Sequence, residues 1–393
     1  MDFQNVKIFM DNMALDRTPG NAVEIYVDNK RVFSYQSGYS DLEKRIPLDG
    51  SESYYIYSCS KITTVTAALQ LLEQGYFAVT DPLYEYIPEY RYMSVRETDG
   101  SLREAKQAIT IGDLFSMTAG LTYDMRTEAF QRAENITGGK MNTETVVRCI
   151  ASDPLSFEPG LYWQYSLCHD VLAGLVEIIS GTKFRHYVRE NIFSPLSMEA
   201  SRYHVTEAEV SGIAQQYCFV PEGENGSFDI VEAQKYGKAK NGTFVNCGKK
   251  NEHILGEEYD SGGAGIITTV SDYAKLMAAL ANHGTGVNGS RILSPGAVEL
   301  MRTPRLTWKQ RKNFNWMQLA GYNYGFGVRT LTDKAISGSN GSVGEFGWGG
   351  AAGANAFADP SRKLAVFYVQ HCLNPREEYY QPRLRNVIYS CLD

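Results

Sequence analysis

A serine and a lysine three residues apart, at the mouth of an amphipathic helix, constrain this chain more than any other feature. In Tyr57-Ser58-Cys59-Ser60-Lys61 the helical pattern begins at once: Ile62, Val65, Leu69 and Leu72 recur at three- and four-residue steps, and Gly75 supplies a stop. Residues three apart on a helix share a face, so Ser58 and Lys61 project into one space. The pattern predicts a helix over 61–74 with a buried stripe. A lysine beside that stripe loses hydration, which lowers its pKa toward that of a usable base. A hydroxyl next to such an amine is the front end of a serine nucleophile. The plain alternative is a helix with Ser58 or Ser60 as an ordinary N-cap. A second Ser-x-x-Lys, Ser180-Gly181-Thr182-Lys183, straddles a C-cap glycine and reads as a solvated turn.

Two further segments stand out. Pro159-Gly160-Leu161-Tyr162-Trp163-Gln164-Tyr165-Ser166-Leu167 opens an apolar helix, with Tyr165 at its mouth. Phe346-Gly347-Trp348-Gly349-Gly350-Ala351, continuing to Asp359-Pro360, reads as a glycine-rich strand, a turn and a second strand. Taken singly, each residue has a dull reading. Tyr165 is one of 26 tyrosines, Trp348 a core indole with backbone packed close to it, and Asp170 a residue that orients a loop or caps a helix. His169, His186, His204, His253, His283 and His371 are scattered, without i, i+4 pairing, and read as structural. No metal and no other cofactor is expected. The Gly-x-Ser-x-Gly elbow of α/β-hydrolases is absent from the sequence.

The ends of the chain supply the sheet signals. Residues 22–35 read as a hairpin turning at Asp28-Asn29-Lys30 and broken at Ser37-Gly38, and residues 353–358 and 363–371 as two strands around Asp359-Pro360. Phe3, Val6, Phe9, Met10 and Met13 outline an N-terminal amphipathic helix, and residues 381–391 a closing one. Between them lie helical patterns at 110–117, 143–151, 167–180, 183–193 and 271–283. The expected fold is α/β (α+β). Residues 1–57 and 260–393 form an α/β lobe with an antiparallel sheet. Residues 58–259 form an inserted, mostly helical lobe carrying the nucleophile, with the site in the cleft between. The polar stretch 221–260, which holds Lys235, Lys238 and Lys240, is expected to form a flap that sets substrate size.

A net charge of −7 argues against nucleic acid as a partner. No long apolar run suggests a membrane span. The N-terminus lacks the charged region and apolar core of a signal peptide, and seven dispersed cysteines fit free thiols. A cytoplasmic enzyme acting on a small-molecule ester or amide is therefore expected, its oligomeric state left open.

Joined in order, Ser58-x-x-Lys61, Tyr165-Ser166-Leu167 and Trp348-Gly349-Gly350 resemble a serine β-lactamase or penicillin-binding protein of the class C β-lactamase group. Within that group the chain is most similar to the carboxylesterases with a β-lactamase fold (family VIII type). Residues 109–121, 261–273 and 324–328 resemble further segments of the family, so the likeness runs from about residue 20 to 372. The resemblance implies a β-lactamase/transpeptidase-like fold and acylation of Ser58. Proton transfer would fall to Lys61 and Tyr165; either could be the base, and a neighbouring ammonium favours the phenolate. The oxyanion hole would be the backbone N–H groups of Ser58 and Ala351, and the substrate would lie along Leu167, Trp348, Gly349 and Gly350. Two departures bear on substrate. The family's β-lactamases usually carry Asn where this chain has Leu167, and Lys or His where it has Trp348. Loss of an amide clamp and of a cation for the substrate carboxylate suits an uncharged ester. A β-lactamase, a D-amino-acid peptidase or an acyltransferase of the same fold is the alternative, and a non-catalytic binding protein a second one.

Overall fold

The computed structural model describes residues 1–16, 18–223 and 241–392. In chain order the elements that position the site are α1 (Gln4–Asp16), β1 (Gly20–Val27), β2 (Lys30–Asp41), β3 (Ile46–Pro47), α2 (Ser60–Glu73), α3 (Cys168–Ser180) and α4 (Val270–Ala281). They continue with β4 (Tyr322–Tyr324), β5 (Arg329–Leu331), β6 (Phe346–Gly350), β7 (Ala354–Asp359), β8 (Leu364–Val369) and α5 (Glu377–Tyr389). The strands make one antiparallel sheet in the order β4-β5-β6-β7-β8-β1-β2-β3. The two ends of the chain meet where β1 pairs β8, Ala22 opposite Val369 and Val27 opposite Leu364.

Period-two alternation assigns the faces. Val23, Ile25, Phe357, Leu364 and Val366 pack with Val6, Met10 and Met13 of α1 and with Leu384 and Ile388 of α5. Ala22, Tyr26, Ala356, Ala358, Ala365 and Phe367 belong to the main core, together with Ala274, Met277 and Ala281 of α4 and the buried stripe of α2. Both faces are covered, which is why β8 reads as the unbroken apolar run LAVFYV. The β-lactamase/transpeptidase-like arrangement of an antiparallel sheet with flanking helices is thus present, mixed α and β as expected.

Several boundaries differ from the expectations. Ser37-Gly38 does not break the hairpin: β2 runs through to Asp41, because Gly38 takes φ 88° opposite Gly20 and leaves no room for a side chain there. The helix expected over 183–193 is a short α-helix, Phe184–Val188, running into a π-helical stretch, Arg189–Phe193. The closing helix starts at Glu377, ahead of the interior Pro382 that masks its first turn in the sequence pattern. Helices Glu128–Thr137 and Pro295–Arg302 and strands β4 and β5 were not anticipated. The flap expectation falls partly on residues outside the described ones, 224–240, Lys235, Lys238 and Lys240 included; on either side of them the structure describes a hairpin pairing Gln216–Pro221 with Gly242–Gly248. Among the described residues no helix is long and apolar enough to cross a membrane, and no cysteine is joined in a disulfide.

Candidate active site

The segment carrying Ser58 is pinned on two sides. Ser53–Tyr55 pairs with Ile267–Thr269, and the 3-10 turn Tyr57–Cys59 lies flush against the end of β6. The contact with β6 is backbone on backbone: a Cβ on Gly350 would sit 2.2 Å from the Ile56 carbonyl oxygen, and the Cys59 thiol donates to the Trp348 carbonyl at 3.5 Å. Only glycine at 350 allows this approach. Tyr57 takes φ 44°, a conformation that costs a non-glycine residue of order 1–3 kcal/mol. The surroundings hold it there: its hydroxyl donates to Gln216 Oε1 at 2.5 Å and its ring meets His253 edge-on. This turn presents Ser58 to a cavity of about 110 Å³ that Tyr165, Trp348, Gly349, Gly350 and Ala351 also line. The plain N-cap reading does not hold. Cys59 is the cap residue of α2 and makes no side-chain cap bond, and Ser60 Oγ accepts the Ile266 N–H.

Lys61 is fully buried one turn on. Its Nζ donates to the Gly263 carbonyl at 2.7 Å and lies 3.2 Å from Ser58 Oγ and 3.4 Å from the Tyr123 hydroxyl. Burial pushes its pKa down to about 7, against the pull of Asp170 toward the charged form. Asp170, on α3, shapes the opposite wall. Its Oδ1 accepts from Tyr259 Oη, Ser261 Oγ and the Gly263 N–H at 3.0, 2.7 and 3.3 Å. A Cβ on Gly263 would fall 2.5 Å from Asp170 Oδ2 and 3.3 Å from Lys61 Nζ, so the glycine lets carboxylate, loop and amine close up. Asp170 therefore orients a loop, and that loop holds the lysine.

Tyr165 lines the cavity beside Ser58 and receives the Trp348 Nε1–H at 3.4 Å. Its ring stacks on Tyr123 at 5.3 Å and on Trp348 at 5.8 Å, and Lys61 Nζ sits 4.6 Å from its centroid. Burial drives its hydroxyl pKa upward, more than the contacts with Ser58 and Trp348 lower it. Desolvation thus overrides the expected ammonium–phenolate pairing: both partners are pushed toward their neutral forms. Lys61 approaches the face of the ring and not its oxygen.

Of the anticipated residues, Leu167 is the one the structure places elsewhere. It caps α3, is buried, and does not line the cavity with Ser58. The second Ser-x-x-Lys is a turn, as read: Ser180 Oγ accepts the Thr182 N–H and Lys183 pairs with Glu258. Tyr123 and Trp316 were missed. Tyr123 follows the segment 109–121 by two residues, and Trp316 lies on a loop with no periodic pattern to flag it. His253 is less remote than the structural reading implied, since it meets Tyr123 and Tyr57 edge-on at the site wall, kept neutral by burial that lowers its pKa to about 4.

The family pattern described as "Beta-lactamase" matches residues 6–389. The chain belongs to the beta-lactamase family. Esterase EstB of Burkholderia gladioli is 27% identical over 343 residues, covering 84% of this chain and 80% of EstB. Protein Rv1367c of Mycobacterium tuberculosis is 29% identical over 349 residues, covering 85% of this chain and 81% of its own. Among solved structures, that of EstCE1, a hydrolase with promiscuous acyltransferase activity, superposes with a TM-score of 0.75 at 23% identity, covering 98% of this chain and 99% of that one. Family membership makes this a protein of the β-lactamase-fold serine hydrolase group.

Proposed function

We propose that the protein is a carboxylesterase that acylates Ser58 with small or medium acyl groups. The observation that carries this reading is the short contact between Ser58 Oγ and a buried Lys61 amine whose pKa is lowered to about 7. At neutral pH a substantial fraction of that amine is free to take the Ser58 proton as Oγ attacks the ester carbonyl. The oxyanion is assigned to the backbone N–H groups of Ser58 and Ala351, both at the cavity wall. Tyr165, kept as a neutral phenol, gives its proton to the departing alkoxide. In deacylation its phenolate takes a proton from the attacking water, and the Lys61 ammonium, 3.2 Å from Ser58 Oγ, returns the serine proton as the acid leaves.

The substrate class follows from what the tyrosine and Trp-Gly-Gly segments lack. At position 348 stands an indole and not a cation, and the amide that β-lactamases carry three positions into the tyrosine motif is replaced by the buried Leu167. The similarity to Esterase EstB supports the same reading. The test sets p-nitrophenyl acetate and butyrate against a chromogenic cephalosporin on the pure protein. We expect kcat/KM for butyrate to exceed that for the cephalosporin by at least about a hundredfold, the scale of one or two lost charge-assisted hydrogen bonds. Comparable efficiency would move the protein to the β-lactamase side. A slow ester or fluorophosphonate should add its mass at Ser58, and labelling at Ser60 or Ser180 instead would defeat the assignment.

A further inference from the structure

The cavity does not end at the aromatic wall. Beyond Trp348 and Gly349 it is closed by Arg329, Gln318, Glu377 and Gln381, none of which the acyl-transfer steps use. Two of these are buried donors: Arg329 is 2% exposed and Gln381 7% exposed. Neither Arg329 Nη1 nor Gln381 Nε2 has a hydrogen-bond partner among the described residues. A donor left unpaired in a buried place costs free energy, so two facing one cavity mark a place built for an acceptor. Gly349 keeps the place open. A Cβ there would fall 3.1 Å from Gln381 Nε2 and 3.6 Å from Glu377 Oε1, inside the space itself.

Charge decides what kind of acceptor fits. Arg329 pairs with Glu345 at 3.3 Å, and Glu345 also meets Arg385 at 3.4 Å and accepts from the Tyr322 hydroxyl. Glu377, which accepts from Gln318 Nε2 at 3.2 Å, adds a second carboxyl at the cavity. At the cavity itself stand one guanidinium already paired with Glu345 and one carboxyl, Glu377, whose pKa burial raises to about 7, so an anion would gain little attraction there and a neutral acceptor fits better. We propose that this end of the cavity is a subsite for an uncharged oxygen acceptor, a carbonyl or ether oxygen on the acyl or alcohol part of the ester, taken by Arg329 Nη1 and Gln381 Nε2. The preferred substrates are then oxo- or alkoxy-substituted esters and not plain alkyl esters. This rests on the ester reading above and names its substrate class.

The test uses pairs matched in shape. Phenyl 4-oxopentanoate is compared with phenyl pentanoate, and 2-methoxyethyl butyrate with butyl butyrate, one oxygen replacing or decorating a methylene in each pair. We expect the oxygen-bearing member of at least one pair to have a kcat/KM at least about tenfold higher, the value of one hydrogen bond to a charged or buried donor. Gln381→Leu should collapse that ratio toward one. Gly349→Ala, which removes no donor but fills the space, should do the same. Ratios within threefold in both pairs, or a ratio unmoved by both variants, would overturn the subsite, as would a glutarate half-ester outperforming the oxo ester. Binding of the same pairs to the Ser58→Ala protein, followed by the emission of Trp316 and Trp348, reads the preference without turnover. A protein that prefers the oxygen-bearing members but hydrolyses none keeps the subsite and loses the esterase reading, while equal turnover of all four does the reverse.

Discussion

Replacing Asp170 by Asn isolates electrostatics from geometry at the proposed base. The three hydrogen bonds at Asp170 all arrive on Oδ1, which an asparagine retains, while Oδ2 has no partner among the described residues. The substitution thus leaves the loop of Tyr259, Ser261 and Gly263 its anchor and removes one negative charge. Asp170 Oδ2 lies 2.5 Å and Lys61 Nζ 3.3 Å from the point a Gly263 Cβ would occupy, which puts the two no more than about 5.8 Å apart. At roughly 6 Å and an effective dielectric of about 20, the lost attraction is about 3 kcal/mol, or about two pH units on the lysine. Asp170 favours the ammonium, so its loss lowers the Lys61 pKa further from about 7. The free amine is the active form. The wild-type kcat/KM for p-nitrophenyl butyrate should therefore rise with pH through about 7 and level off, and in Asp170→Asn the rising limb should move down toward about 5. Its plateau should be lower, since a weaker base abstracts the serine proton less readily. The assay is a pH–rate profile from 5 to 9, followed at a wavelength where nitrophenol and nitrophenolate absorb equally. A limb that stays in place or moves upward would refute the assignment of Lys61 as the titrating base.

Two further outcomes follow from the same geometry. Lys61→Ala and Tyr165→Phe should each lower kcat by about a hundredfold or more, and the double variant should be little worse than either, because the two serve one acyl-transfer step as a unit; additive losses would mean that one of them only packs. His371 is buried, and its pKa is depressed to about 4 from the ordinary 6.5. The unfolded chain takes up a proton below pH 6.5 that the folded state refuses until about 4, so stability is lost as pH falls through this window, by about 2 kcal/mol at pH 5. Urea unfolding at pH 7 and 5 should show that His371→Gln loses about that much less stability between the two than the parent protein; an equal loss would place the proton uptake elsewhere.

What the sequence made legible was whatever repeats locally. The stripe Ile62, Val65, Leu69 and Leu72 placed α2 within a residue of its bounds, and the Asp359-Pro360 turn fixed β7 and β8 on either side. Strands β4 and β5 escaped because three residues are too few to show a period of two. The site was legible in its motif-bearing half. Ser58, Lys61, Tyr165 and Trp348 were found and are brought together. Leu167, expected beside them, stands at the N-cap of α3 and is buried. Arg329, Glu377 and Gln381 carry no motif. Arg329 comes from β5, where it pairs with Gly347 of β6, and Glu377 and Gln381 from α5, so only the assembled fold sets them beside Gly349.

The meeting of β1 with β8 also bears on when the protein becomes reactive as it is made. The Cys59 thiol and the Trp348 carbonyl it bonds are 289 residues apart. A chain leaving the ribosome exposes Ser58 and Lys61 early, but the strand that completes the wall around them emerges near the end, and β8 must follow before β1 has both neighbours. The nascent polypeptide therefore carries a serine and lysine before the proposed oxyanion hole can form. Competence arrives in one late step, with the closing of the sheet.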